Sequence, residues 1–131
     1  MIGLDTNVIV RYVMQDDPEQ AAKAADIIEA LTGEHPGFVT LVSIVEIVWV
    51  LTSCYGFTRA QIAQLLEQLL STDALLVDRA ELVWRALRRF QTARADFADC
   101  LIECIAAAAG CERTVTFDVR ASKSAGMALI V

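Results

Sequence analysis

The apolar run at residues 41–51, LVSIVEIVWVL, carries a single carboxylate, Glu46, near its centre. A run of this length reads as a buried helix rather than a buried strand, which is usually shorter. A carboxylate inside it is costly unless hydrogen-bond partners or a cation meet it. Whatever fold the chain adopts must therefore bring compensation to position 46. Three further acids stand at the edges of apolar segments: Asp5 directly after Met1, Ile2, Gly3 and Leu4; Asp99 within Ala98, Asp99, Cys100, Leu101 and Ile102; and Asp118 directly after Thr114, Val115, Thr116 and Phe117. Together these acids predict one shared cation site.

The rest of the chain alternates short apolar runs with amphipathic stretches. Residues 1–5 read as a buried strand ending in a carboxylate, and Thr6 and Asn7 open a helix along which Val8, Ile9, Tyr12 and Val13 recur at helical spacing. Asp16, Asp17, Pro18 and Glu19 mark a stop and a new helix start, with proline in the first turn and the helix running to about Leu31. A loop at 33–37 leads to a strand at 38–40, then to the helix holding Glu46, which ends near Tyr55 and Gly56. Thr58 caps a helix to about Leu70, a strand follows at 74–77, and an arginine-rich amphipathic helix spans 79–94. A helix over 96–109 stops at Gly110, and strands at 114–117 and 128–131 complete the pattern. Alternating strands and helices predict an α/β fold with a parallel sheet covered on both faces, whose ligands bind beyond the carboxyl ends of the strands, where Asp5 and Asp118 stand. With 131 residues, 56% of them hydrophobic, the chain suits a single domain over 1–131.

Charge and composition remove several classes. No apolar stretch reaches the roughly 20 residues of a membrane span, and Asp5 and Arg11 interrupt any signal-peptide core, which predicts a cytoplasmic protein with no membrane association. The net charge of −6 argues against coating nucleic acid by bulk charge, yet leaves it open as a substrate where a bound cation reverses the local field. Cys54, Cys100, Cys104 and Cys111 form no CxxC pair and His35 is the only histidine, so zinc is disfavoured. Cys100 and Cys104 share a helix face and read as reduced, buried thiols.

Oxygen ligands alone suit a hard divalent cation, magnesium or manganese. Asp96 lies three residues before Asp99 and Glu103 four after it, so like charges crowd one helix face; Asp99 is the expected ligand and Asp96 an auxiliary. Each acid also has a structural role open to it. Glu46 stands three after Ser43 as in a capping box, Asp5 fits a cap for the helix at Asn7, Asp96 suits a helix start, and Asp118 suits a turn. Arg11, Arg120 and Lys123 follow the acids closely enough to meet phosphates, whereas Arg85, Arg88 and Arg89 read as a solvated or salt-bridged face before an RNA surface. Trp49, Phe57 and Trp84 read first as core, and otherwise as surface covered by a partner.

Asp5-Thr6-Asn7 after the first strand, Ser43 with Glu46, Asp96-Phe97-Ala98-Asp99 with Leu101-Ile102, and Thr116-Phe117-Asp118 together resemble the PIN-domain nucleases, and among them the VapC-type toxins of toxin-antitoxin systems. The resemblance spans essentially the whole chain. It implies a three-layer α/β/α sandwich around a central, mainly parallel sheet, and a metal-dependent endoribonuclease that hydrolyses RNA phosphodiester bonds with magnesium or manganese. Asp5, Glu46, Asp99 and Asp118 would be the catalytic, metal-binding acids, Asp96 would lie at the edge of the site, and Asn7 and Thr116 would orient ligands or substrate, beside Arg11 and Arg120. A homodimer and a cognate antitoxin are implied as partners. The rival within the same fold is a PIN-like module that binds protein or RNA without cleaving it. A phosphotransfer domain of haloacid-dehalogenase type needs a second acid where Asn7 stands, and a receiver domain needs an acid pair that the first strand lacks.

Overall fold

Strand β1 (Ile2–Gly3) passes through Leu4 and Asp5 into helix α1 (Thr6–Met14), in a computed structural model that describes residues 1–131. Asp5 occupies the N-cap with extended backbone and accepts the Thr6 N–H, and Gln15 closes the helix in the left-handed conformation at φ 56°. Helix α2 (Pro18–Glu29) begins on Asp17, which accepts the Gln20 N–H, with Pro18 at a position that needs no backbone donor. Strand β2 (Gly37–Val39) leads into helix α3 (Leu41–Tyr55), capped by Thr40, which accepts the Ser43 N–H at 3.1 Å. Gly56 ends α3 at φ 66°, where a side chain would be strained. Helix α4 (Arg59–Ser71) opens with a reciprocal capping box between Thr58 and Gln61 and leads to strand β3 (Leu75–Val77).

These elements form the first of two compact units, Met1–Asp78. Its strands lie in the order β1-β2-β3, all parallel, with Gly3 opposite Phe38 and Val39 opposite Val77. The middle strand is the buried one: Val39 has no exposed surface, and it packs in a core that holds Ile9, Ile44, Ile47, Leu51, Ile62 and Leu66. The first strand departs from expectation, since Ile2 is exposed and burial begins at Leu4. The cap of α3 departs as well: Thr40 holds that place, so Ser43 and Glu46 form no capping box.

The second unit, Arg79–Val131, holds helices α5 (Ala80–Thr92) and α6 (Phe97–Ala108), strand β4 (Val115–Thr116), helix α7 (Val119–Ser124) and strand β5 (Ala128–Leu129). Strands β4 and β5 pair in parallel, Val115 with Ala128 and Thr116 with Leu129. The two long helices pack through Val83, Leu87, Phe90, Phe97, Leu101 and Cys104, with the Phe90 and Phe97 rings edge to face at 6.0 Å. Cys100 and Cys104 are buried and form no disulfide, and burial pushes the Cys104 thiol up, away from the reactive thiolate.

Helix α7 is the element that the hydrophobic pattern misses, because its six residues bury only Ala121. Asp118, which as a structural residue suits a turn, caps this helix instead and accepts the N–H groups of Arg120 and Ala121. Arg89 follows the salt-bridged reading of its helix face. Its Nη1 donates to Glu103 Oε2 at 2.6 Å and to the Ala125 carbonyl at 2.7 Å, so it ties α5 to α6 and to the end of α7. Arg85 and Arg88 are exposed. No helix is long and apolar enough to cross a membrane.

The two faces of α3 make a direct test of this packing. Leu51 is fully buried and Trp49 is 64% exposed, two residues away on the same helix. Leu51→Ala is expected to cost about 2–5 kcal/mol in urea unfolding and Trp49→Ala less than about 1 kcal/mol. Equal losses at the two positions would contradict the observed orientation of the helix.

Candidate active site

Periodicity along α3 decides the environment of Glu46. Ile44, Ile47 and Leu51 point one way and are buried, while Val42, Glu46, Trp49 and Ser53 recur at steps of four, three and four on the exposed side. Glu46 is therefore not buried, contrary to the expectation from the run of apolar residues. The desolvation argument fails for it because the run is apolar on both faces of a helix that is covered on only one.

Its compensation is nonetheless present. Thr6 Oγ1 donates to Glu46 Oε1 at 3.1 Å, and the Thr6 N–H donates to Asp5 Oδ1 at 2.8 Å. Thr6, itself buried, is thus the joint between the two acids, a role that its place at the opening of α1 does not by itself reveal. The joined residues line an open cleft of ≈ 430 Å³ together with Asn7, Arg11 and Tyr55. Each acid commits one oxygen to Thr6 and keeps its other oxygen without a protein donor.

The second unit gathers its own acids. Asp96 is the N-cap residue of α6 but makes no capping bond, Asp99 lies in that helix's first turn, and Asp118 caps α7. Thr116 Oγ1 accepts the Asp118 N–H at 3.0 Å, which fixes the backbone where β4 ends. Asp118 spends Oδ1 on the α7 amides and leaves Oδ2 without a protein donor. Burial pushes the Asp99 carboxyl above its ordinary range, and the charges of Asp96 and Asp118 push it further the same way. Arg120 Nη1 approaches Asp96 Oδ1 only to 3.8 Å with both side chains about two-thirds exposed, a pair too solvated to offset that repulsion. Lys123 is exposed in the last turn of α7.

The sequence-predicted residues thus fall into two groups, Asp5, Asn7, Arg11 and Glu46 in the first unit and Asp96, Asp99, Thr116, Asp118 and Arg120 in the second. No group of three or more histidine, cysteine, aspartate and glutamate side chains forms a ready-made metal cage. The donor set still fits a hard cation. Magnesium keeps much of its water and binds through one or two carboxylates rather than an all-protein cage. Burial and the two like charges of Asp96 and Asp118 that raise the Asp99 carboxyl, and acid oxygens lacking donors, are what such a cation relieves.

A family model described as the PIN domain matches residues 2–126. The chain belongs to the PIN domain family. PIN domains have a nuclease-like fold, are commonly metal-dependent ribonucleases, and typically bind RNA. The α/β class with parallel strands is therefore both the predicted and the observed one, and it agrees with the three-layer fold of PIN domains. No curated protein matches the chain.

Two substitutions probe this PIN domain's charge arrangement. Thr6→Val keeps the amide that Asp5 accepts but removes the hydroxyl on Glu46, and is expected to cost about 1 kcal/mol in urea unfolding, with Thr6→Ser costing less. Asp99→Asn removes a charge that burial, Asp96 and Asp118 all oppose, and is expected to raise the Tm in chelator; a lower Tm would mean that the Asp99 charge is not opposed there.

Proposed function

We propose that this PIN domain is a metal-dependent endoribonuclease, the toxin of a toxin-antitoxin pair, acting in the cytoplasm on RNA. The observation that carries the reading is Asp99 at the start of α6, a carboxyl raised above its usual range first by burial and then by the charges of Asp96 and Asp118, while Arg120 comes no closer to Asp96 than 3.8 Å. A structural carboxylate is normally surrounded by donors, whereas a cation site is built from acids that repel in its absence. The family match running through both units supports treating residues 1–131 as one domain.

Asp5 and Glu46 in the first unit, and Asp99 and Asp118 in the second with Asp96 as an auxiliary, are the acids that would hold magnesium or manganese. When bound, the ion would supply Lewis acidity toward phosphate oxygens and make a coordinated water more acidic than bulk water. The chain's own contributions are positional. Thr6 restrains Asp5 and Glu46 by one bond each, and Thr116 restrains Asp118 through its backbone. Asn7 is exposed in the cleft and offers an amide to RNA, while Arg11 and Arg120 offer guanidinium groups to phosphate. Val42 and Trp49 on α3, 69% and 64% exposed, and Phe117 and Val119, 80% and 52% exposed, provide apolar surface for a second copy of the chain and for an antitoxin.

Purified protein incubated with mixed cellular RNA is expected to give discrete fragments with magnesium or manganese and none with chelator. Asp99→Ala should lower the rate by at least about 10²-fold while the fold is retained, since even groups that merely support a metal ligand cost 10–100-fold. Folded, partner-free protein that leaves RNA intact in either metal would transfer the assignment to a PIN-like binding module.

A further inference from the structure

Arg11 is more tightly specified than a surface arginine needs to be. A guanidinium carries five N–H donors in a fixed plane. Nε donates to Gln20 Oε1 at 2.9 Å, and Nη1 donates to Asp16 Oδ1 at 3.3 Å and to the Tyr55 hydroxyl at 3.1 Å. The Tyr55 hydroxyl in turn donates its only proton to Asp16 Oδ2 at 2.7 Å. Arg11, Asp16 and Tyr55 therefore close a three-membered ring, with Gln20 bracing the far side of the plane. The two donors left over both belong to Nη2.

The ring joins elements that are distant in sequence. Arg11 lies on α1, Asp16 in the turn after it, Gln20 on α2, and Tyr55 is the last residue of α3. Arg11 and Tyr55 line the same cleft as Asp5, Asn7 and Glu46. The electrostatics agree with the geometry: the Tyr55 hydrogen bond, then Asp16, raise the Arg11 guanidinium further above its ordinary value, and the Tyr55 bond leads the effects holding Asp16 below the usual carboxylate range.

We infer that Tyr55 and Asp16 are positioning residues, which hold the plane of Arg11 so that its Nη2 edge meets a phosphate of the RNA lying in the Asp5–Glu46 cleft. The inference rests on the nuclease reading and adds to it the group that fixes the arginine. An exposed ion pair such as Arg11 with Asp16, 32% and 42% exposed, contributes little by attraction alone. Its effect is orientational. An arginine free to swing must lose rotamer freedom when it binds phosphate, whereas one held by three bonds has lost it already. Asp16 does neutralise part of the arginine's charge, but it occupies Nη1 and leaves the Nη2 edge for the ligand.

The test uses the full chain and a fluorescein-labelled single-stranded RNA, with binding followed by anisotropy in an Asp99→Ala background and cleavage followed in the native one. Arg11→Ala is expected to weaken binding about 5–10-fold and to reduce the slope of log K against log salt by about 0.7, the share of one phosphate contact on a single strand. Tyr55→Phe keeps the charge of Arg11, so the salt slope should persist. Its loss in kcat/KM, about 3–5-fold, should be carried by KM rather than kcat, as expected when ground-state positioning is removed. Asp16→Asn should follow Tyr55→Phe, and Arg11→Lys should fail to restore affinity because an ammonium has no plane to hold. Unchanged KM and Kd for Tyr55→Phe, whatever happens to its Tm, would show that the ring only stitches α1 to α3 and would overturn the inference alone. Tighter binding by Tyr55→Phe or Asp16→Asn would overturn it in the opposite sense, making the ring a competitor of RNA. A native protein that neither binds nor cleaves RNA would overturn the nuclease reading and this inference together.

Discussion

Where β1 passes into α1, Asp5 Oδ1 accepts the Thr6 N–H, and where β4 passes into α7, Asp118 Oδ1 accepts the N–H groups of Arg120 and Ala121. Both acids sit just past the carboxyl end of a strand because a strand-to-helix turn leaves unpaired amides, which a short polar side chain satisfies. The same requirement places Thr40 between β2 and α3. Parallel strands followed by helices therefore set capping residues at the ends where α/β proteins bind ligands. Structural and functional readings of Asp5 and Asp118 are compatible, since a cap uses one carboxylate oxygen and leaves the other.

The two units manage negative charge differently. In the first, Thr6 bonds to both Asp5 and Glu46, and Arg11 stands in the same cleft. In the second, Asp96 forgoes its capping bond, Asp99 has no hydrogen-bond donor, and Arg120 stays at 3.8 Å. The arginine that is firmly engaged there, Arg89, is spent on Glu103 and Ala125. A helix start rich in carboxylates gains from the helix dipole, but the raised Asp99 carboxyl indicates that burial and repulsion outweigh that gain. The surrounding packing supports such tension, here through Phe97, Cys100 and Leu101 on the inner side of α6.

Glu46 shows how apolar neighbours in sequence can mislead about burial. A carboxylate in the run 41–51 reads as buried, yet it lies on the exposed stripe of α3 with Val42 and Trp49. Composition alone does not separate the two faces of a helix that is apolar all round; only the neighbours that cover one face do. The exposed Val42 and Trp49 also show that part of the chain's apolar excess is surface, although a tryptophan at such a position reads first as core.

Element order, helix caps at Asp17 and Thr58, stops at Gly56 and Gly110, and the burial of Cys100 and Cys104 were all legible in the sequence, because caps, stops and apolar spacing act over a few residues. Helix α7 was not, since six residues with one buried position carry no period to detect. The acids and their places at segment ends were likewise local signals. What the tertiary structure decided was pairing: Thr6 with Glu46 across forty residues, Tyr55 with Asp16 across thirty-nine, and Arg89 with Ala125 across thirty-six. Spacing along a chain specifies which face of an element a residue occupies. It does not specify which other element will cover that face, because the partner is set by the packing of the whole unit.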